Sequence, residues 1–104
     1  MKISKEDFCL IPQIQRNGIY EVEDWGITYY YLNGKFHRED GPAIKFNNGT
    51  KEWYINGKYS RLDGPAREFS SIDKEYWIEG KHYSTKEDFE SAAYLYNNGL
   101  QDYL

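Results

Sequence analysis

Apolar and polar positions alternate along most of this chain in short stretches cut by glycine, asparagine and aspartate. The pattern is clearest over residues 18–23 (GIYEVE), 27–32 (ITYYYL), 43–46, 50–55 and 76–78. A period of two is the signature of half-buried strands, and the intervening residues are turn formers. The period changes only at the two ends. Phe89, Ala92, Ala93 and Tyr96 recur at i, i+3, i+4 and i+7, one apolar stripe of a helix. Ser84 or Thr85 caps that helix with Glu87 or Asp88 three residues on, and Asn97-Asn98-Gly99 stops it. Ser4-Lys5-Glu6-Asp7-Phe8 is a similar helix start, which Pro12 limits to about two turns.

The alternating part is one unit written twice. Residues 30–52 (YYLNGKFHREDGPAIKFNNGTKE) and 53–75 (WYINGKYSRLDGPAREFSSIDKE) share twelve identities at a shift of 23 residues. Among these are Asn33/Asn56, Gly34/Gly57, Arg38/Arg61, Asp40/Asp63, Gly41/Gly64, Pro42/Pro65 and Ala43/Ala66. A fixed period of this length marks supersecondary units that bury their apolar sides against one another. Residues 17–32 read as a worn earlier copy, and a third copy starts at Tyr76-Trp77-Ile78 before giving way to the final helix.

Asn33-Gly34, Asn56-Gly57 and Glu79-Gly80 fall one period apart and predict hairpin turns, because Asn and Gly accept positive φ. Asn47-Asn48-Gly49 predicts another turn, with Asn-Gly suited to a two-residue loop. Asp40-Gly41-Pro42 and Asp63-Gly64-Pro65 predict structural turns in which glycine supplies the unusual dihedral and proline fixes the exit. The expected fold is mainly β (α+β), an antiparallel meander of repeated hairpins with a short N-terminal helix and a C-terminal capping helix. Its single domain divides into an N-terminal cap (1–17), repeats (18–83) and a helical cap (84–104).

The chain has 104 residues, of which 18% are aromatic, including 11 Tyr. That is enough for one small core, and tyrosine suits a pleated surface that keeps a polar end for water. The net charge of −4 is uneven: residues 1–28 and 76–104 are acidic and 29–75 nearly neutral. Such a distribution disfavours generic nucleic-acid binding, which needs a basic patch. A single cysteine, Cys9, allows no intrachain disulfide. With no membrane-length apolar run and no signal-peptide core in residues 1–12, a cytoplasmic setting is expected.

Gly34-Lys35-Phe36-His37-Arg38-Glu39-Asp40-Gly41-Pro42-Ala43 and its second copy resemble HRxDGPA-type repeats, relatives or look-alikes of MORN repeats. These occur in small proteins of bacteriophages, giant viruses and some bacteria. The resemblance runs from about residue 26 to 89, and the closing WIEGKHYSTKEDF is similar to the end of such arrays. It implies stacked antiparallel hairpins and no shared catalytic residues. Ser60 and Leu62 depart from the motif, where the first copy has His37 and Glu39.

His37-Arg38-x-Asp40 is the one cluster that suggests catalysis, but the second copy keeps Arg61 and Asp63 and has Ser60 for the histidine. A repeated Arg-x-Asp beside Gly-Pro reads more simply as a turn clamp. Two histidines and one cysteine do not make a standard zinc site, so no catalytic residue, metal or cofactor is expected. Alternation puts Tyr30/Leu32, Trp53/Ile55 and Tyr76/Ile78 on one side of the sheet, the expected core. Tyr31, Tyr54 and Trp77 then form an aromatic row on the other side, exposed as an interface or covered by the terminal helices.

The expected function is a non-enzymatic protein-binding module, phage- or virus-encoded, that inhibits a host protein such as a nuclease or immune effector. Its candidate contacts are Tyr31, Tyr54 and Trp77, with acidic Glu79, Glu87, Asp88 and Glu90 able to meet a basic nucleic-acid channel. The alternatives are base stacking of single strands on the aromatic row, aided by Lys35, Lys58 and Arg67, and a self-assembling structural role.

Overall fold

The computed structural model describes residues 1–69 and 72–104; residues 70 and 71 of the second repeat lie outside them. The protein is mainly β. Helix α1 (Lys5–Leu10) follows β1 (Lys2–Ile3) and leads through a 3-10 turn at Gln13–Gln15 into β2 (Gly18–Val22) and β3 (Ile27–Leu32). The repeats then supply β4 (Lys35–Phe36), β5 (Ile44–Lys45), β6 (Lys51–Glu52), β7 (Tyr54–Ile55), β8 (Lys58–Tyr59) and β9 (Arg67–Glu68). The third copy gives β10 (Lys74–Ile78) and β11 (Lys81–Tyr83), and α2 (Lys86–Asn97) closes the array. The main sheet runs β1-β2-β3-β5-β6-β9-β10-β11 with β4 paired to β3, while β7 and β8 pair with each other. Apart from the parallel β1–β2 pair, the pairings are antiparallel.

Each period therefore holds two hairpins. Asn33-Gly34, Asn56-Gly57 and Glu79-Gly80 close the tight ones, with φ of 51/81°, 50/80° and 47/81°. Both central residues are left-handed, as a two-residue type I′ loop requires. Asn47-Asn48-Gly49 instead forms a three-residue loop, closed by the Phe46 amide donating to the Thr50 carbonyl. Gly49 alone takes positive φ there, which corrects the two-residue expectation. Neighbouring units are fastened by their turns. The Gly57 amide donates to the Phe36 carbonyl (2.8 Å) and the Gly80 amide to the Tyr59 carbonyl (2.9 Å), both spanning the same sequence distance.

The two helices cover opposite sides of the sheet at opposite ends. Phe8 of α1 packs with Tyr20, Val22 and Tyr31, on the side of Tyr29 and Tyr31. Phe89, Ala92 and Ala93 of α2 pack with Ile78 and Tyr83, on the side of Tyr76. Ser4 and Thr85 cap them, each hydroxyl accepting from the amide three residues on. The chain is accordingly long and thin, 45 × 29 × 18 Å.

Alternation holds, but the side of the aromatic row, not the side expected to be the core, is the one most completely filled. Tyr31, Phe36, Tyr54, Tyr59, Trp77 and His82 stack in one unbroken row, with centroid separations of 4.9, 5.1, 4.5, 5.2 and 4.9 Å. Tyr31 and Tyr54 are buried, at 5% and 8% exposure. On the supposed core side, Leu32 is 43% exposed and Ile55 half-buried; only Ile78, under α2, is fully enclosed. The reason is that neighbouring aromatic rings lean against one another at tilted angles and shield one another, whereas shorter aliphatic chains need a second layer. That layer exists only where α2 lies.

Candidate functional site: a groove between the Arg-x-Asp turns

The less covered side of the sheet carries a repeated aromatic rung. In the first unit the Arg38 guanidinium lies over the Tyr30 ring, 4.1 Å from its centroid. In the second, Arg61 lies over Trp53 at 4.0 Å. In the third, Phe89 of α2 takes the same place against Tyr76 at 4.7 Å.

Each arginine is also tied into its own turn. Arg38 Nε donates to Asp40 Oδ1 (2.9 Å) and its Nη1 to the Pro42 carbonyl (3.2 Å). Arg61 makes the same bonds to Asp63 (2.8 Å) and Pro65 (3.1 Å), and reaches Glu68 at 3.3 Å. The arginines hold the carboxyls of Asp40 and Asp63 below the usual aspartate range. The glycines of these turns serve a different purpose from the one expected. Neither Gly41 nor Gly64 has positive φ; a Cβ on either would sit 2.8 Å from the arginine Cζ. Glycine is there to let the guanidinium pass beneath the backbone.

His37 and Ser60, which differ between the copies, do the same work. The Asn56 amide donates to His37 Nδ1 (2.9 Å), and the Glu79 amide donates to Ser60 Oγ (3.0 Å). Each residue fastens its loop to the first residue of the next tight turn. The one histidine that suggested catalysis is thus engaged through its ring nitrogen in a backbone contact that serine can replace.

Between the turns at 38–41 and 60–63 lies a groove of about 530 Å³. Its apolar lining comes from Trp53, Ile55, Leu62 and Ile78, and Glu79 and Tyr96 also line it. The Tyr96 hydroxyl donates to Glu79 Oε2 (3.2 Å), and burial, then the neighbouring carboxylate, raises its pKa. Leu62 and Asp63 also line a second hollow that continues over Pro65, Tyr76 and Lys86 to Glu90 and Tyr94 of α2. Leu62 and Tyr94 are 37% and 64% exposed, so apolar surface recurs along this whole side.

The opposite side carries a polar network woven into the aromatic row. The Tyr54 hydroxyl donates to Glu52 Oε1 (2.9 Å), and Arg67 bridges Glu52 (3.2 Å) and Glu75 (3.0 Å). The Trp77 indole donates to the same Glu75 oxygen (3.0 Å). That bond, followed by Arg67, keeps the Glu75 pKa low, while burial drives that of Tyr54 far above an ordinary phenol. Arg67 is therefore occupied by two carboxylates.

The sequence-derived contact residues do not come together. Tyr31 and Tyr54 are inside the aromatic row and Trp77 is half-buried beside His82 on that same side. Glu79 lies in the groove on the other side, and Glu90 in the hollow next to it. Glu87 and Asp88 are exposed in the first turn of α2. Trp53, Ile55 and Tyr96 were assigned to packing, yet they line the groove. The usable signal was the repeat itself, because Leu62 and Glu79 both stand where the other copies carry a different residue type.

Among the described residues, no group of three His, Cys, Asp or Glu is arranged to hold a metal, and no helix is long and apolar enough to cross a membrane. The chain matches no family model, and it has no significant match to a curated protein or a solved structure.

Proposed function

We propose that the protein is a non-enzymatic binding module that docks onto another protein through the groove side of its sheet. One observation carries this reading: Trp53, Ile55 and Leu62 form open apolar surface at a cleft whose arginines are already engaged by the protein's own aspartates. Aromatic and aliphatic side chains in a concave, water-accessible setting are what protein interfaces use as anchors. Kinship with HRxDGPA-type repeats, and a role in occluding a host protein such as a nuclease or immune effector, belong to the same proposal. The base-stacking alternative finds less support, because two of its three rings are buried and Arg67 is doubly paired.

Size-exclusion chromatography with candidate host nucleases, at low and at physiological salt, tests this. The expected result is a complex that Leu62→Arg abolishes and His82→Ser, on the other side of the sheet, leaves intact. Absence of any complex, or loss with His82→Ser alone, would overturn it.

A further inference from the structure

The groove has a definite charge preference once its internal pairs are set aside. Arg38 and Arg61 each bond an aspartate and a prolyl carbonyl and lie over a ring, so each positive charge is already balanced by a carboxylate of its own turn. What remains on the lining is Glu39 and Glu79. The Glu39 side chain is 82% exposed, and the His37 ring Nε2 lies 3.8 Å from its carboxylate. Glu79 accepts from the neutral Tyr96 hydroxyl, and among the described residues no lysine or arginine pairs with it. The cleft therefore joins an apolar lining to carboxylates without a strong cation of their own.

Both acids stand where the array breaks its own pattern. Glu39 corresponds to Leu62, and Glu79 corresponds to Asn33 and Asn56. Glu79 holds φ of 47°, a conformation asparagine adopts readily and glutamate does not. A residue that costs backbone energy at a turn where the chain elsewhere uses the better one points to work done by its side chain.

We infer that the groove takes an extended segment of a partner protein carrying an arginine or lysine beside an apolar side chain. The cation meets Glu39 or Glu79, and the apolar chain lies on Trp53 and Ile55 against Leu62. The carboxylates repel phosphate and acidic peptides, and the apolar lining makes a bare polyamine a poor fit. This rests on the binding reading above and adds the chemistry of what is bound.

Selection of random displayed dodecapeptides on the purified full chain provides the test. Enriched peptides are expected to place arginine or lysine within a residue or two of a leucine, isoleucine or aromatic. Their affinity should fall about tenfold in the Glu39→Lys, Glu79→Asn double variant, the equivalent of 1.4 kcal/mol. Glu79→Asn alone should weaken binding while the melting temperature stays level or rises, because asparagine suits the turn. If Glu79 served only the fold, that variant would melt earlier and bind normally. Enrichment of peptides without a cation, affinity indifferent to the double variant, or no enrichment at all would overturn the inference. A whole-protein complex lost with Leu62→Arg but unaffected by the double variant would leave the binding module standing and remove only this specificity.

Discussion

Replacing Arg61 by alanine removes contacts whose worth follows from their geometry. The guanidinium 4.0 Å above Trp53, only partly exposed, is worth about 1 kcal/mol. The bond to the Pro65 carbonyl adds about 1 kcal/mol. The Asp63 partner is 86% exposed and Glu68 is reached only at 3.3 Å, so the two ion pairs together add about 0.5 kcal/mol. Arg61→Ala should therefore destabilise the protein by about 2.5 kcal/mol and lower Tm by about 10–15 °C for a chain of this size. Urea unfolding followed by tryptophan fluorescence measures it, with an unchanged denaturant slope showing that the compactness of both states is preserved. The pH dependence separates the parts. Asp63's folded pKa is depressed by Arg61, so its share of stability is present above its unfolded value of about 4 and lost as pH falls through the lower folded value. The ring and carbonyl contributions persist below that pH. A loss under about 0.5 kcal/mol at neutral pH would refute the claim that Arg61 organises its turn through these contacts.

Gly34 and Gly57 share φ near +80°, but a Cβ on Gly34 would lie 2.7 Å from Ile14 Cα, whereas on Gly57 it meets only Lys35 at 3.6 Å. Gly57→Ala should cost about 1–2 kcal/mol from the left-handed backbone alone, and Gly34→Ala clearly more, so equal losses in chemical denaturation would contradict the packing of residues 13–15 on that turn. His37→Ser copies the Ser60 arrangement and should change stability by less than about 0.5 kcal/mol; a larger loss, or loss of partner binding, would assign His37 a further role. Spectroscopic titration at the tyrosinate band should show Tyr54 still protonated when the exposed phenols have ionised, and its ionisation in the ordinary range would mean that the aromatic row does not keep its hydroxyl buried.

Local chemistry was legible in the sequence. The tight turns at 33–34, 56–57 and 79–80, the helix starts at Ser4 and Thr85, and the strand alternation each depend on a few adjacent residues, and each is where the pattern put it. Which side of the sheet is filled was not legible, since it depends on where α1 and α2 fold back, a long-range choice that alternation does not encode. Nor was the purpose of Gly41 and Gly64, because an arginine packed under the backbone leaves the same letter in the sequence as a left-handed dihedral. The groove was half legible. Its variable positions, Glu39/Leu62 and Glu79, could be picked out by comparing the copies, but Trp53 and Ile55 looked like core, and the fold leaves them only half-buried along its lining.

The amides of Gly57 and Gly80 that latch each tight turn to the strand before it make the units interchangeable along the axis. A duplication of a whole 23-residue stretch would extend the array without rebuilding either terminal helix. Because the cleft lies between one Arg-x-Asp turn and the next, such a duplication would also add a cleft between turns, without the Tyr96 wall that the terminal helix supplies. Chain length and number of docking positions would then grow in step, and divergence of a few lining residues would give each new cleft its own ligand.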